Sequence, residues 1–290
     1  MGLHVVVPTH TTRHLHACVS SLLRQTRRPD HIVVSTDTDD PALGQALAAF
    51  SDAPCPILHV ARARQSGPRL NQVRNNALRA LDAIATDDDL VLVVDGDTML
   101  ECTAIEDHAS SKADVVIPYR VMLDEATTSA LAPGLFEVPV GRPDPWRETL
   151  MSEADASALR GRTSRYRRHV MLRRMRLGKR HKPKILGGHH AIRWRCLVAV
   201  NGYDERYVSW GWDDDDMALR LHMLGVRVEI AVDRIMAFQL WHPSRSPGSP
   251  IDAQHYAMFR EPRRSPEAIR GLRHPLEQDD PNVSIISPIS

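Results

Sequence analysis

Cysteine is scarce in this chain of 290 residues, and Cys18, Cys55, Cys102 and Cys196 stand far apart with no paired spacing. That pattern excludes a zinc cluster and a secreted disulfide framework, and it fits a reducing cytoplasm. Long apolar runs are missing too, since none approaches the roughly 20 residues needed to span a bilayer. The chain starts directly on "LHVVVPTH", without the basic and apolar regions of a signal peptide. Val6 stands where a myristoylation signal requires Ser or Thr. Charge of one sign is lacking overall: 37 Lys and Arg against 36 Asp and Glu leave a formal net charge of +1, which names no partner. What is present is ordinary for a globular protein, with 42% hydrophobic and 25% charged residues, so disorder is not the expectation. The length allows one large domain or two small ones. These features predict a cytoplasmic protein, with room for peripheral contact to the inner face of a membrane.

The first 119 residues alternate strand and helix signals. "LHVVV" (3–7), "HIVV" (31–34), "CPILHV" (55–60), "LVLVV" (90–94) and "ADVVIPY" (113–119) read as strands. Between them, helical spacing of apolar residues predicts helices over 14–26, 41–50 and 69–84. Such a run implies an α/β fold, a mostly parallel sheet flanked by helices on both faces. The rhythm breaks from about 120 to 186. It returns with "GGHHAIRW", a short helix, a helix over 213–224 and strands near 226–231 and 235–241.

Two acidic clusters interrupt this pattern. A buried-type strand runs straight into Asp95-Gly96-Asp97, at the sheet edge where open α/β folds bind ligands. Paired carboxylates there repel unless a positive group joins them, and a hard divalent cation is one answer. A strand-to-turn junction of common turn residues is the other, and the stretch alone leaves both open. Further on, "SWGWDDDDMALRLHMLG" (209–225) places Met217, Leu221 and Leu224 on one helical stripe behind four aspartates. Asp at a helix start serves capping and the dipole, for which two would suffice. Trp210 and Trp212 offer flat faces suited to a sugar ring, although packing is the commoner use of Trp.

Together these stretches resemble the metal-dependent glycosyltransferases of the GT-A fold, specifically family 2 enzymes with the carboxyl-terminal half of the galactosyltransferases. The likeness runs through "VVVPTH" (5–10), "RNNAL" (74–78), "VVDGD" (93–97), "GGHHAIR" (187–193), "NGYDERYVSWGWDDDDMALR" (201–220) and "WHPS" (241–244). It implies a Rossmann-like GT-A domain and an inverting transfer from a nucleotide-sugar, a UDP-sugar by analogy, to an acceptor hydroxyl. In that scheme Asp97 holds Mn²⁺ or Mg²⁺, with Asp95 beside it and His242 as a late ligand. Gln239 occupies the place of a further ligand. Asp214 falls where the general base stands and Asp213 where a Glu precedes it. Pro8, Thr9, Thr11 and Arg74 match the donor-binding loop and arginine, and Trp210 and Trp212 match the acceptor side. Two departures stand out. "STDTDD" replaces the usual Asp-Asp-Gly-Ser and leaves Asp37 as the nearest uracil-reading carboxylate, while His189 replaces the Asn after Gly-Gly, with a consequence for donor sugar selection.

The resemblance divides the chain into a GT-A domain over 1–261 and a polar tail over 262–290, read as mobile or draped. Within the domain, 1–119 is the nucleotide-binding half, 120–186 an inserted segment acting as lid or acceptor element, and 187–261 the acceptor and catalytic half. Residues 160–184 carry twelve Lys or Arg and no Asp or Glu. That segment predicts an anionic acceptor, such as an acidic or lipid-linked glycan, or a peripheral membrane contact. No nucleic-acid motif accompanies it, so no nucleic-acid partner is expected. Two rival readings compete with the transferase. A phosphatase of haloacid-dehalogenase type needs Asp-x-Asp-x-Thr, whereas Thr98 follows Asp97 directly. The other rival is a basic phosphate- or membrane-binding module.

Overall fold

The strand and helix alternation read from the sequence is realised in order. A computed structural model describes residues 1–288 apart from 65–68, 132, 138–139, 141–144, 210, 244–249 and 278–279. The first half contains β1 (Leu3–Thr9), α1 (Leu15–Leu23), β2 (His31–Asp37), α2 (Ala42–Ala48), β3 (Ile57–Arg62), α3 (Leu70–Leu81) and β4 (Leu90–Val94). After it come β5 (Thr98–Leu100), α4 (Ala104–Ala109), β6 (Val115–Ile117), β7 (Tyr119–Met122), α5 (Glu125–Ser129), α6 (Pro145–Leu150) and α7 (Glu153–Arg174). The last third holds β8 (His189–Arg193), α8 (Trp194–Ala199), α9 (Asp213–Leu224), β9 (Val228–Ile230), β10 (Met236–Gln239), α10 (Pro250–Arg260) and β11 (Asn282–Ser287).

Eight strands form the central sheet in the order β11-β3-β2-β1-β4-β8-β6-β9. The β3-β2-β1-β4 block is parallel throughout, while β8 runs antiparallel to β4 and β6. Strand alternation sorts the branched residues onto two faces. Leu90, Leu92 and Val94 join Leu15, Val19, Leu22 and Leu43 on one side, where α1 and α2 pack. Val91 and Val93 join Ala77, Leu78, Leu197 and Met217 on the other, where α3, α8 and α9 pack. Each fully buried Val or Leu contributes about 1.5–3 kcal/mol of hydrophobic stabilisation, so this double burial explains why β4 has no polar residue. Having built β1, β2 and β3 in one direction, the chain crosses back to set β4 on the other side of β1. That reversal opens a crevice at the carboxyl ends of β1 and β4, the position at which open α/β sheets bind ligands.

The strand expected near 235–241 is β10, which sits in a separate three-stranded sheet, β5-β10-β7. Three sequence expectations are corrected here. The basic segment is not an irregular insertion, for residues 153–174 are one long helix, started by a reciprocal Ser152–Asp155 capping box and seated on Leu159, Thr163 and Tyr166. Its polarity almost all round hid that narrow stripe. The stretch 262–290, expected as a polar tail, contributes β11, which pairs antiparallel with β3 along the sheet edge. Leu224, expected on the buried stripe of α9, is 39% exposed at the helix end.

Candidate active site

β4 delivers Asp95, Gly96 and Asp97 to the crevice, and short backbone bonds hold the turn there. Asp95 N donates to Gly188 O at 3.1 Å, and Gly96 N to Pro8 O at 3.1 Å. A Cβ at Gly96 would lie 2.7 Å from Thr9 Cβ, so the close approach of this turn to the end of β1 requires glycine. Pro8, Thr9 and Thr11 therefore flank the aspartate turn, with Thr9 Oγ1 donating to Thr11 O at 3.0 Å. Asp37 ends β2 at the same sheet edge, two strands from β4 and thus about 10 Å away. It accepts from Arg69 N at 3.1 Å, and burial pushes its carboxyl above the usual range.

Asp97 looks toward β10 and the residues beyond it. Its Oδ2 lies 3.1 Å from His242 Nε2 and 3.0 Å from Gln239 Nε2. Burial works to raise the Asp97 carboxyl, but the His242 bond, the Arg120 charge and Gln239 outweigh it and hold it below the usual range. The same bond to Asp97 raises His242. Gln239 Oε1 is buried and lacks a hydrogen-bond partner. One carboxylate, one imidazole and the Gln239 amide thus converge from the ends of β4 and β10, the amide facing Asp97 and His242 through its nitrogen and leaving its oxygen without a partner. Among the described residues no three His, Cys, Asp or Glu side chains are grouped to hold a metal by themselves. The set nevertheless fits a hard cation of the kind that takes few protein ligands and completes its shell with phosphate and water.

Asp95 faces the other way, toward the second acidic cluster. Arg120 NH1 donates to its Oδ2 at 3.2 Å, and Arg74 NH2 lies 3.6 Å from its Oδ1. Arg74 also donates to Asp213 Oδ2 at 3.3 Å and to Gly187 O at 2.9 Å. One buried guanidinium therefore ties the turn after β4 to the start of α9. Burial would lower the Arg74 pKa, but Asp95, Tyr203, Asp213 and Asp214 together raise it, so the charge persists.

The four aspartates occupy one helical turn and go four ways. Asp213 meets Arg74. Asp214 accepts from Gly187 N at 3.1 Å and lies 4.0 Å from Lys184 Nζ, with its side chain 22% exposed. Burial and then the Asp213 charge push its carboxyl up to about 7, against the opposing pull of Arg74 and Lys184. Asp215 pairs with Lys182 Nζ at 2.9 Å and Lys184 Nζ at 3.4 Å. Asp216 is fully buried, bonded to Arg220 Nε at 2.7 Å and to Tyr207 Oη at 3.2 Å. No side chain caps α9, whose N-cap is Trp212 in the left-handed region at φ 66. None of the four acids is therefore the N-cap, although all four lie in the first turn, where the helix dipole favours negative charge.

Glycine makes the convergence of these groups sterically possible. A Cβ on Gly187 would collide with the Asp214 carboxylate, and one on Gly188 with Arg120 and Asp95. The residues that follow do not join them. His189 is corrected from a donor contact to a core residue: it is fully buried, bonded to Tyr119 O and to His108 Nε2, each at 3.2 Å. Burial drives its pKa down to about 3, so it stays neutral. Alternation along β8 points it inward. Trp212 stacks on Phe259 at 5.1 Å and meets Tyr256 at 4.7 Å, so α10 occupies the ring expected for the acceptor. Trp210 and Ser244 lie outside the described residues. Sequence reasoning missed Arg120 and Lys184 as partners of the acids. Arg120 has no local signal, and Lys184 is hidden at the end of a uniformly basic run.

A family model described as the N-terminal domain of galactosyltransferase matches residues 168–241, the segment holding Gly187, Gly188 and the Asp run. Among solved structures, S. aureus TarS 1-349 in complex with UDP-GlcNAc aligns with a TM-score of 0.54 at 15% identity, over 89% of this chain and 65% of that one. GalNAc-T7 with UDP, GalNAc and Mn2+ aligns with a TM-score of 0.57 at 14% identity, over 89% of this chain and 47% of that one. The fold is GT-A. This chain spans 60% of the length of another TarS 1-349 structure, at 16% identity and a TM-score of 0.51.

Proposed function

We propose that this protein is an inverting, metal-dependent glycosyltransferase that moves a sugar from a UDP-sugar to a hydroxyl of a glycan or lipid-linked glycan. One observation carries the reading. Arg74 reaches both Asp95 and Asp213, so the turn that carries the metal-type carboxylates and the helix start that carries Asp214 are held side by side in a GT-A fold. The co-complexes of TarS with UDP-GlcNAc and of GalNAc-T7 with UDP and Mn2+ support the choice of donor and of a divalent cation.

In this scheme Asp97 and His242 would hold Mn²⁺ or Mg²⁺, with Gln239 turning its free amide oxygen inward. The bound cation would supply positive charge to the departing diphosphate. Arg74 and Arg120 keep Asp95 oriented at the edge of the same site. Asp214 accepts the proton of the acceptor hydroxyl while that oxygen bonds the anomeric carbon. The bond from that carbon to the diphosphate oxygen breaks in the same displacement, its electron pair leaving with UDP, and the configuration inverts. A carboxyl pushed up to about 7 suits the role, since it is basic enough to take the proton and still ionised near neutrality. The four cysteines are free and buried, which supports a reducing, cytoplasmic setting.

Asp214→Asn should lower transfer by at least ~10²-fold while calorimetry shows UDP and Mn²⁺ binding unchanged. Asp97→Asn should instead weaken metal-dependent UDP binding. Full turnover in Asp214→Asn would overturn the base assignment. Release of phosphate from an aryl phosphate without any sugar donor would instead point to the phosphatase reading.

A further inference from the structure

The end of α7 presents a surface that the proposed transfer does not use. Arg173, Arg174, Arg176, Lys179, Arg180 and Arg227 line a groove of about 610 Å³ between α7, the loop after it and the α9–β9 turn, and no described carboxylate lines it. Arg227 has Asp114 at 3.5 Å, and Arg173 donates to Arg180 O at 3.1 Å. The remaining four cations are exposed on one side of the molecule. Like charges gathered without an acid repel one another, and the arrangement is relieved by an anionic partner.

The same element exposes large apolar side chains. Met171 is 55% exposed, Met175 60% and Leu177 55%. Met171 and Met175 lie one turn apart and so share a face, beside exposed Arg168 and Arg174. A soluble anion would answer the arginines but leave these apolar groups in water. An anionic bilayer answers both, because headgroup phosphates meet the cations while the apolar groups enter the acyl boundary. Nucleic acid is disfavoured, since Tyr166, the one aromatic residue other than histidine in the basic segment, is buried. His222, across the groove, lies eight residues along α9 from Asp214, or about 12 Å of helix, so the surface is separate from the catalytic pocket.

We propose that the end of α7 and the loop to Arg180 form a docking surface for an anionic phospholipid bilayer, with Met171, Met175 and Leu177 inserted and Arg168, Arg174, Arg176 and Arg180 at the headgroups. This inference does not depend on the transfer reaction. The full chain, with no donor present, is sedimented with phosphatidylcholine vesicles and with mixed phosphatidylglycerol–phosphatidylcholine vesicles. Binding is expected only with phosphatidylglycerol and should weaken as salt rises, each cation contributing about fivefold. The triple variant Arg168→Glu, Arg174→Glu, Arg180→Glu should bind at least ~100-fold more weakly. Met171→Ser, Met175→Ser, Leu177→Ser should bind at least ~10-fold more weakly with every charge intact. Circular dichroism confirms folding, and single Met175→Ser and Arg180→Glu variants give the same ranking if a triple does not fold. Equal sedimentation with both lipids, or a charge-reversed protein that binds normally, would overturn the proposal. So would wild-type binding by the serine variant together with competition by inorganic tripolyphosphate, which would identify a site for free phosphate instead.

Discussion

At the scale of single residues, the Asp213–Asp216 run shows how one turn of helix serves several ends. Successive side chains leave the axis about 100° apart, so Asp216 enters the core beside Arg220 while Asp214 faces the pocket. The environment of Asp214 makes a pH prediction with a definite sign. Its folded-state pKa, up to about 7, lies above the ordinary Asp value near ~4. The native state therefore holds the proton more tightly than the unfolded chain. Its stabilising contribution is complete below about pH 4 and is lost as pH rises toward and through 7. Activity should run in the opposite sense, with kcat/KM climbing through about pH 7 as Asp214 ionises. Asp214→Asn should remove the difference in urea midpoint that this group creates between about pH 5 and about pH 8. A wild-type rate profile flat through neutrality would reject the role of Asp214.

At the scale of elements, β4, α9 and the Gly187-Gly188 entry to β8 build the pocket, and each was legible to a different degree. The strand into Asp95 was clear because a doubly buried strand is continuously apolar and its carboxylates end it abruptly. The start of α9 was clear from its acid run, but the direction of Trp212 was not, since only the packing of α10 decides it. α7 was missed because seven arginines mask a stripe that uses Thr163 between Leu159 and Tyr166. The glycine pair offers the sharper test. Gly188 has an ordinary backbone, so Gly188→Ala introduces a steric conflict with Arg120 and Asp95 rather than a conformational one. It should cost about 1–3 kcal/mol in denaturant titration and reduce transfer at least ~10-fold by displacing Asp95. Unchanged kinetics in that variant would show that the Asp95–Arg120 pair does not position the donor.

At the scale of the whole molecule, the charges of the pocket are balanced by the protein itself. Asp95, Asp213 and Asp214 face Arg74, Arg120 and Lys184, and the two hydrophobic layers form independently of any ion. Chelation should therefore abolish UDP binding yet shift the Tm of the unliganded protein by less than ~2 °C. UDP and Mn²⁺ together should stabilise it through linkage, by about 2.7 kcal/mol at a hundredfold excess over Kd. Scanning calorimetry in the four combinations checks this, and a large loss of Tm on chelation alone would mean that the metal is structural.

The local pattern of the chain determined the strand–helix rhythm, the acids at the ends of β4 and the start of α9, and an uncompensated basic stretch, because period and charge runs are properties of neighbouring residues. Only the tertiary structure decided which groups meet those acids. Arg120 reaches Asp95 across 25 positions and Gln239 reaches Asp97 across 142, while His189, one residue past the pocket, is turned into the core. Such contacts follow from the strand order and the pleat, which bring distant segments together and send adjacent side chains to opposite faces.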